Sequence, residues 1–527
     1  MKQLNTIFLA TLFLLLSAFV HESVLNAQVP ATVKGVVFHD KNGNEVYDSS
    51  DKPLKGVAVS NGRDVVLTNR KGEYELLLRD NSAIFVIQPA NWVAPVDENR
   101  KPVFYQMYSS GGATGTKFEG MPPTGPLPES VDFPLLPKKA PRKFKALIFG
   151  DTQPRNDTEI YYMAKDVLHE LIDTDSHFGI TLGDIVFDNL SLYDHVLSSL
   201  STLGIPMWYV PGNHDSDYTG TNKAEFRGAW RNKIGPLYYS FSYGQAHFIV
   251  LDNILWIFEE GKNFYRTGLG KDQMQFLRNE IQRIDKNKLL VLLAHIPYES
   301  STAWHDKNEK REFYELLATH PNSVSLTAHT HRHFHRFIDS DDGYPGSEPH
   351  HLISVGTVCG AWWSGAPNEF GIPHAMMSDG TPNGYGFLHI NKSDWKFEWK
   401  PAGMNAGFQM QIDAPDFVET DAGNEIKVTA NIFNALPNAV VKMKIGDDGN
   451  WIEMKRVTQT DPVRLAQKEW EEQINNVPWR KMGGDSNSLH IWEATYTVKE
   501  NPGVHNIRVN AKDAWFEYEG NRLIHIK

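Results

Sequence analysis

Between Gly150 and His331, short apolar runs end five times on side chains that bind metals. Lys145-Ala-Leu-Ile-Phe-Gly150 leads into Asp151-Thr-Gln153, and Phe178-Gly-Ile-Thr-Leu182 leads into Gly183-Asp184. Pro206-Met-Trp-Tyr-Val-Pro211 leads into Gly212-Asn213-His214-Asp215. Leu289-Leu-Val-Leu-Leu-Ala294 delivers His295, and Ser323-Val-Ser-Leu-Thr-Ala328 delivers His329-Thr-His331. Apolar runs of this length, bounded by Gly or Pro, read as buried strands, although a run alone does not exclude a buried helix segment. Polar groups at the carboxyl ends of such strands stand where open α/β sheets hold ligands. A lone Asp151 has a helix N-cap as its lesser alternative, and a lone His295 reads more often as a core or surface histidine. The recurrence of the pattern carries the functional reading.

The five blocks, in this order, resemble the calcineurin-like metallophosphoesterase superfamily, whose motifs run D-x-H, G-D, G-N-H-D/E, a lone H and G-H-x-H. Two positions depart: Gln153 stands where His is usual, and Ala328 where Gly is usual. The resemblance implies an α/β catalytic domain, a four-layer αββα sandwich. Carried over by position, it assigns Asp151, Gln153 and His331 to one metal and Asn213, His295 and His329 to a second, with Asp184 bridging. A bridging carboxylate holds two cations ~3.5–4 Å apart, where they clamp the attacking and leaving oxygens of an in-line displacement. This donor set suits Mn²⁺, Fe or Zn²⁺ as the two divalent ions. By the same resemblance His214 contacts phosphate or protonates the leaving alkoxide, with Asp215 orienting its ring. The implied activity is hydrolysis of phosphate mono- or diesters by a metal-bound hydroxide. The alternative is a catalytically weak or inactive relative, its ligand set altered by Gln153, serving as a binding or structural module at the cell surface.

A chain of 527 residues is too long for one ordinary core. Residues 1–27 carry Met1-Lys2, the apolar run Ile7–Val20 and a cleavage-compatible Asn26-Ala27, which read as a signal peptide. The expected protein is exported, to the periplasm, cell surface or medium, with no membrane span once the leader is removed. A retained anchor lacks the basic cluster that would stop transfer. The net charge of −12 offers no basic footprint for nucleic acid. The single cysteine, Cys359, excludes an internal disulfide and reads as a small buried hydrophobe.

Residues 28–136 carry short strand-like segments at Val33–Phe38, Gly56–Ser60, Val65–Thr68, Tyr74–Leu78 and Ala83–Ile87. They resemble the prealbumin-like β-sandwich that precedes some bacterial phosphoesterases. Asp40, Asn42, Asn44, Asp48 and Asp51 recur in one loop there. They suit either a Ca²⁺ site, with a glycine misplaced for an EF-hand, or an Asx-rich turn. Prolines near 122–126 and 137–141 mark the linker into the catalytic region, residues 143–400. Within it, Thr158–Leu171 and Gln273–Ile284 place apolar residues at helical spacing. The Gly- and Pro-rich stretch from Val355 to Gly386 reads as loops beside the site. Trp362, Trp363, Asp379 and Asn383 are its candidate substrate-binding residues, with core packing the alternative for the tryptophans. His305, His333 and His335 read as surface histidines or substrate contacts. Residues 401–527 alternate again in period two and resemble an immunoglobulin-like β-sandwich, with Trp451, Trp470, Trp492 and Trp515 as core and edge anchors. The expected chain is thus an α/β domain flanked by two all-β sandwich domains. The phosphate-ester substrate, the native metals and the oligomeric state stay open.

Overall fold

The computed structural model describes residues 31–113, 116–259, 262–419, 424–447 and 449–527. The expected leader, residues 1–27, lies outside them. No helix among the described residues is long and apolar enough to cross a membrane.

The N-terminal region is built from strands alone among its described residues. Ala31–His39 pairs antiparallel with Glu73–Leu78 and parallel with Phe133–Pro137. A second sheet runs Val65–Leu67, Ala58–Ser60, Ser82–Val86, Tyr105–Tyr108. Along Glu73–Leu78 the residues Tyr74, Leu76 and Leu78 are buried while Glu73, Glu75 and Leu77 face solvent, the two-residue period of a half-buried strand. In the Asp40–Asp51 loop the carboxylates turn onto the loop's own amides. Asp40 accepts from Gly43 N and Glu45 N at 2.7 and 3.0 Å, and Asp48 from Ser50 N at 2.7 Å. These contacts form Asx turns within the loop.

The central region contains two mixed sheets. The first takes β1 (Lys143–Phe149), then, after helix α1 (Asp157–Met163), β2 (Phe178–Thr181), and after α2 (Tyr193–Ser201), β3 (Met207–Tyr209). The second begins with β4 (Tyr239–Tyr243) and β5 (Ala246–Val250) and continues, after α3 (Lys271–Arg283), with β6 (Leu289–Leu293). After α4 (Lys307–Ala318) come β7 (Ser323–Thr327), β8 (Phe334–Ile338) and β9 (His350–Ser354). The antiparallel pair β10 (Gly384–Asn391) and β11 (Asp394–Pro401) returns to the first sheet. The sheet orders are β3-β2-β1-β10-β11 and β4-β5-β6-β7-β9-β8. All five apolar runs of the sequence are strands, and β1, β2, β3 and β5, β6, β7 run parallel within their sheets.

Alternation on β1 shows why the sheets pack as they do. Ala146 and Ile148 join a core with Phe248, Val291 and Leu326 of the second sheet, whereas Leu147 and Phe149 join Ile160, Met163, Val196 and Leu200 of α1 and α2. Trp208 stacks on Phe241 at 3.8 Å between the sheets, a large apolar contact. On the second sheet's side, Phe276, Leu277 and Ile281 of α3 and Phe313 and Leu317 of α4 enter the same core. The expected helix Thr158–Leu171 is helical throughout, but Ala164–Leu168 widens to a π-helix and His169–Leu171 tightens to a 3₁₀ turn.

The C-terminal region is β-rich, in two sheets containing Glu425–Ile432, Ser488–Thr497, Gly503–Lys512 and Glu517–Ile526. It is not all-β, because Pro462–Gln473 is a helix. Asp461 caps its first turn through Arg464 N, and Pro462 sits where a missing N–H has no intrahelical role. The helix presents few apolar residues to a core, so periodicity gives no sign of it. Of the four tryptophans, only Trp492 is buried in this core, and Trp451 and Trp470 lie exposed. Trp515 reaches into the central region, stacking on His351 at 5.4 Å and edge-on to Trp395 at 5.2 Å. His333 and His335 are not surface residues. Both are buried at this seam and share Asn434 Oδ1 at 3.0 and 3.1 Å.

Candidate metal centre

Strand ends and tight turns deliver the donors. In-register pairing of Phe149 with Thr181 and of Leu293 with Leu326 ends neighbouring strands at one level, so the residues that follow them share one edge. Gln153, Asp184, His329 and His331 all adopt left-handed backbone, with φ of 39°, 48°, 67° and 48°. Such conformations in non-glycine residues cluster where surrounding structure enforces a functional geometry. The glycines beside the donors answer to close approach. A Cβ on Gly183 would lie 2.6 Å from His295 Nδ1, and one on Gly212 would lie 2.1 Å from Asp184 Oδ1.

Around Asp184 the candidate metal-binding atoms converge to within hydrogen-bond distance of one another. His295 Nδ1 lies 2.8 Å from the Leu182 carbonyl, which only accepts, so that nitrogen carries a proton and Nε2 is the atom turned to the cluster, a metal-binding lone pair whenever the ring is neutral. That Nε2 stands 3.2 Å from Asp184 Oδ2, 3.1 Å from Asn213 Oδ1 and 3.2 Å from His329 Nδ1. Ligand atoms of Asp184, His295 and His329 all lie within 4.8 Å of one another. His331 repeats the device. Its Nδ1 donates to the Gly360 carbonyl at 2.5 Å, which turns Nε2 toward Asp151 Oδ2 at 3.1 Å. Asp151 Oδ2 is fully buried yet accepts no hydrogen bond. Buried carboxylates and imidazoles crowded this closely are stabilised by positive charge between them, from protons or from a metal ion. The residues present therefore fit divalent metals.

The titration behaviour shows the same demand for positive charge. Burial opposes protonation of His295, but the carboxylates of Asp184 and Asp151 outweigh it and raise the imidazole to about 9. Burial likewise opposes ionisation of Asp184, and the histidines nonetheless hold it below the ordinary carboxylate range. Burial and the charge on His295 push His329 down to about 4.

Family comparison now bears on this geometry. The N terminal of calcineurin-like phosphoesterase matches residues 40–122, calcineurin-like phosphoesterase matches 144–333, and the C terminal of calcineurin-like phosphoesterase matches 353–518. The chain belongs to the calcineurin-like phosphoesterase superfamily. It is 25% identical over 169 residues to the 3′,5′-cyclic adenosine monophosphate phosphodiesterase CpdA of Escherichia coli K12, covering 31% of this chain and 55% of that one. It is 24% identical over 148 residues to the 3′,5′-cyclic-nucleotide phosphodiesterase alr5338 of Nostoc, covering 27% and 51%. The chain thus spans about half the length of these curated relatives. An endo-beta-1,4-mannanase structure from Thermotoga petrophila overlaps 70% of each chain at 9% identity, with a TM-score of 0.16 that bears on nothing here.

In this calcineurin-like chain the partner of His214 differs from the one expected. His214 Nδ1 pairs with Asp188 Oδ1 at 2.6 Å, and its ring stacks on Phe187 at 4.4 Å. Burial opposes its protonation, but Asp184 and Asp188 raise it above the ordinary value. Asp215 is buried and accepts instead from Gly212 N, Ile185 N and Tyr193 Oη. Burial and the nearby charge of Asp184 push its carboxyl up to about 7. Its work is to shape the turn. Buried Arg227 supports the same turn, donating to the Gly212 and Asp215 carbonyls and pairing with Asp252 at 2.9 Å. The signal for Asp188 was its place four residues after Asp184, whereas Arg227 leaves no local trace in sequence.

The loop residues divide. Trp362 packs at a tilt against His331, with centroids 4.2 Å apart, and forms a wall of the site, while Trp363 is buried among Ile160, Met163 and Ala375. Asp379 is buried, accepting from His333 N and Thr381 N at 3.0 Å each. Asn383 donates to Asp166 at 2.7 Å and to the Val358 carbonyl. With their polar atoms engaged inside the protein, both hold the loop rather than face the cleft. Cys359 is buried as expected, but it lies against the ligands, 3.7 Å from Gln153 Oε1 and 3.8 Å from His331 Nδ1. His305 is exposed and outside the cluster, as a surface histidine.

Proposed function

We propose that the chain is an exported, dinuclear metal-dependent phosphoesterase that cleaves phosphodiesters. The observation that carries this is the meeting of Asp184 Oδ2, Asn213 Oδ1 and His329 Nδ1 within 3.2 Å of His295 Nε2 in the protein interior. Asp151, Gln153 and His331 would hold one cation, Asn213, His295 and His329 the other, and Asp184 both. Two divalent ions of Mn, Fe or Zn would supply Lewis acidity toward the phosphate oxygens and an activated water. The relatives named as 3′,5′-cyclic-nucleotide phosphodiesterases favour diesters, cyclic nucleotides first among them. The two central sheets with helices on their outer faces support the four-layer arrangement.

The protein's own groups do the rest. His214, oriented by Asp188 and Phe187, stands at the cleft as the proton donor to the departing alkoxide. Asp184 and Asp188 raise its proton affinity against the effect of burial, which favours the protonated donor. Trp362 walls the cleft on the His331 side and excludes water from one flank. The Asn213 carbonyl accepts from Tyr218 Oη at 2.9 Å, which steadies the turn that carries both Asn213 and His214.

Metal analysis of the purified protein, followed by turnover of bis(4-nitrophenyl) phosphate and of 3′,5′-cyclic nucleotides with Mn²⁺, Fe²⁺ or Zn²⁺, tests the reading. About two metal equivalents and metal-dependent diester cleavage are expected. A protein that takes up no metal and cleaves none of these esters is a binding module instead.

A further inference from the structure

Three arginines converge on the loop that carries Trp362, and they differ in how their charge is met. Arg155 donates to the Trp362 carbonyl at 2.6 Å and is neutralised by Glu159. Arg464 of the C-terminal region is fully buried, donates to the Met376 and Met377 carbonyls at 2.9 and 3.1 Å, and is neutralised by Asp485. Arg480, also from the C-terminal region, has no carboxylate partner among the described residues and is exposed. Its carbonyl accepts from Gly365 N at 2.8 Å, which pins its backbone to the loop. Its guanidinium lies over the Trp362 ring at 6.0 Å, and that ring packs at a tilt against the candidate ligand His331, with centroids 4.2 Å apart.

The backbone under this stack is held at some expense. Trp362 and Trp363 are consecutive left-handed residues, with φ of 56° and 49°. Bulky side chains take that conformation only where neighbouring contacts over-determine it. Those contacts come from both sides of the domain seam: Arg155 from the catalytic side, Arg464 and Arg480 from the other. Two of the three cations are compensated within the protein. The third points its charge at solvent beside the metal centre, on an aromatic surface that limits its movement.

We propose that Arg480 is a specificity residue of the metal centre, binding a second anionic group of the substrate beyond the scissile phosphate. This rests on the phosphoesterase reading. A guanidinium fork meets carboxylate or phosphate oxygens in paired hydrogen bonds, and its separation from the metals by one indole ring suits an anion on the far side of a small substrate. The C-terminal region is then part of the active site, not an appendage to it.

The test compares methyl 4-carboxyphenyl phosphate with methyl phenyl phosphate, two diesters that differ by one remote carboxylate. The parent should prefer the carboxylated ester, through KM. Arg480→Gln should cut that preference about tenfold, the scale of one charge-assisted hydrogen bond. Arg480→Lys, which keeps the charge without the fork, should restore part of it. Titrating 4-carboxyphenylphosphonate and phenylphosphonate into the metal-loaded proteins reads the same preference without turnover. An unchanged preference in Arg480→Gln overturns the proposal. So does an equal loss on both ligands, which would make Arg480 a prop for Trp362. A parent that loads metal, binds both phosphonates and hydrolyses neither ester sinks the phosphoesterase reading instead, while the phosphonates still decide Arg480.

Discussion

His214 Nδ1 stands 2.6 Å from Asp188 Oδ1, while Asp215, its neighbour in sequence, turns into a buried cage of Gly212 N, Ile185 N and Tyr193 Oη. His214 and the carboxylate that pairs with it thus come from two different turns, Gly212-to-Asp215 and Asp184-to-Asp188.

Substitution should separate these roles. His214→Ala should lower turnover by ~10²–10⁴-fold, the usual worth of a positioned proton donor, with metal content unchanged. Asp188→Asn should lose part of that factor and fold normally, because Asp188 is partly exposed. Both losses should shrink for esters with acidic leaving groups, which depart without a proton. Asp215→Asn should instead reduce stability, measured by denaturant melts. A His214→Ala protein that has lost a metal ion would show His214 to be a ligand.

Asp184→Asn addresses the carboxylate proposed to bridge the two cations. Asp184 is buried, and its Oδ1 also accepts from His214 N at 2.8 Å, so it ties the metal cluster to the His214 turn. A neutral amide offers one oxygen and cannot balance two cations. Metal content should fall by at least one equivalent and diester turnover should vanish. Two retained equivalents with full turnover would end the bridging role.

The sites that sequence made legible are those where chemistry and burial coincide. Parallel strands buried on both faces read as dense apolar runs, so Leu289–Leu293 and Ser323–Thr327 stood out, and His295 and His329 at their ends stood out with them. The C-terminal helix Pro462–Gln473 stayed hidden because Arg464 and Glu471 are its buried residues, which leaves no apolar stripe. Its Asp461-Pro462 start was the available signal. Asp188 stayed hidden because one more carboxylate near a motif is common. Arg480 and Trp515 act across the seam between regions, and partners so far apart in sequence leave no spacing to read.

That seam should be acid-sensitive. His335 Nε2 faces Asn434 Oδ1 and its Nδ1 faces His351 Nε2 at 3.0 Å, with His333 and Trp515 packed beside it. Burial and His490 lower its proton affinity and Asn434 and Asp513 only partly offset this, leaving it at about 4. The folded value lies below the unfolded ~6.5, so the unfolded chain binds the extra proton. Stability is full above ~6.5 and declines as pH falls toward 4, by on the order of 3 kcal/mol for this one group. Denaturation midpoints between pH 7 and 4 should fall steeply in the parent and less steeply in His335→Gln. Identical acid slopes would acquit His335.

Gln153 is the departure from the family pattern that most affects the metals. Its Nε2 lies 3.2 Å from Asp184 Oδ2, and its Oε1 faces Cys359 Sγ at 3.7 Å. In this rotamer the carboxamide donates to the Asp184 carboxylate. Turning the amide over exchanges oxygen for nitrogen with little change of shape and would present Oε1 beside Asp184 as a neutral ligand. An amide oxygen is a harder and weaker donor to late first-row metals than imidazole. The cation held by Asp151, Asp184 and His331 should therefore bind more weakly than its neighbour and favour Mn²⁺ or Fe²⁺ over Zn²⁺. Gln153→His should tighten that site and shift it toward Zn²⁺. Calorimetric metal titration reads this directly, without turnover: two unequal steps in the parent should converge in the variant. Matching titrations from both proteins would take Gln153 out of the metal shell and leave it as a hydrogen-bond donor that steadies Asp184.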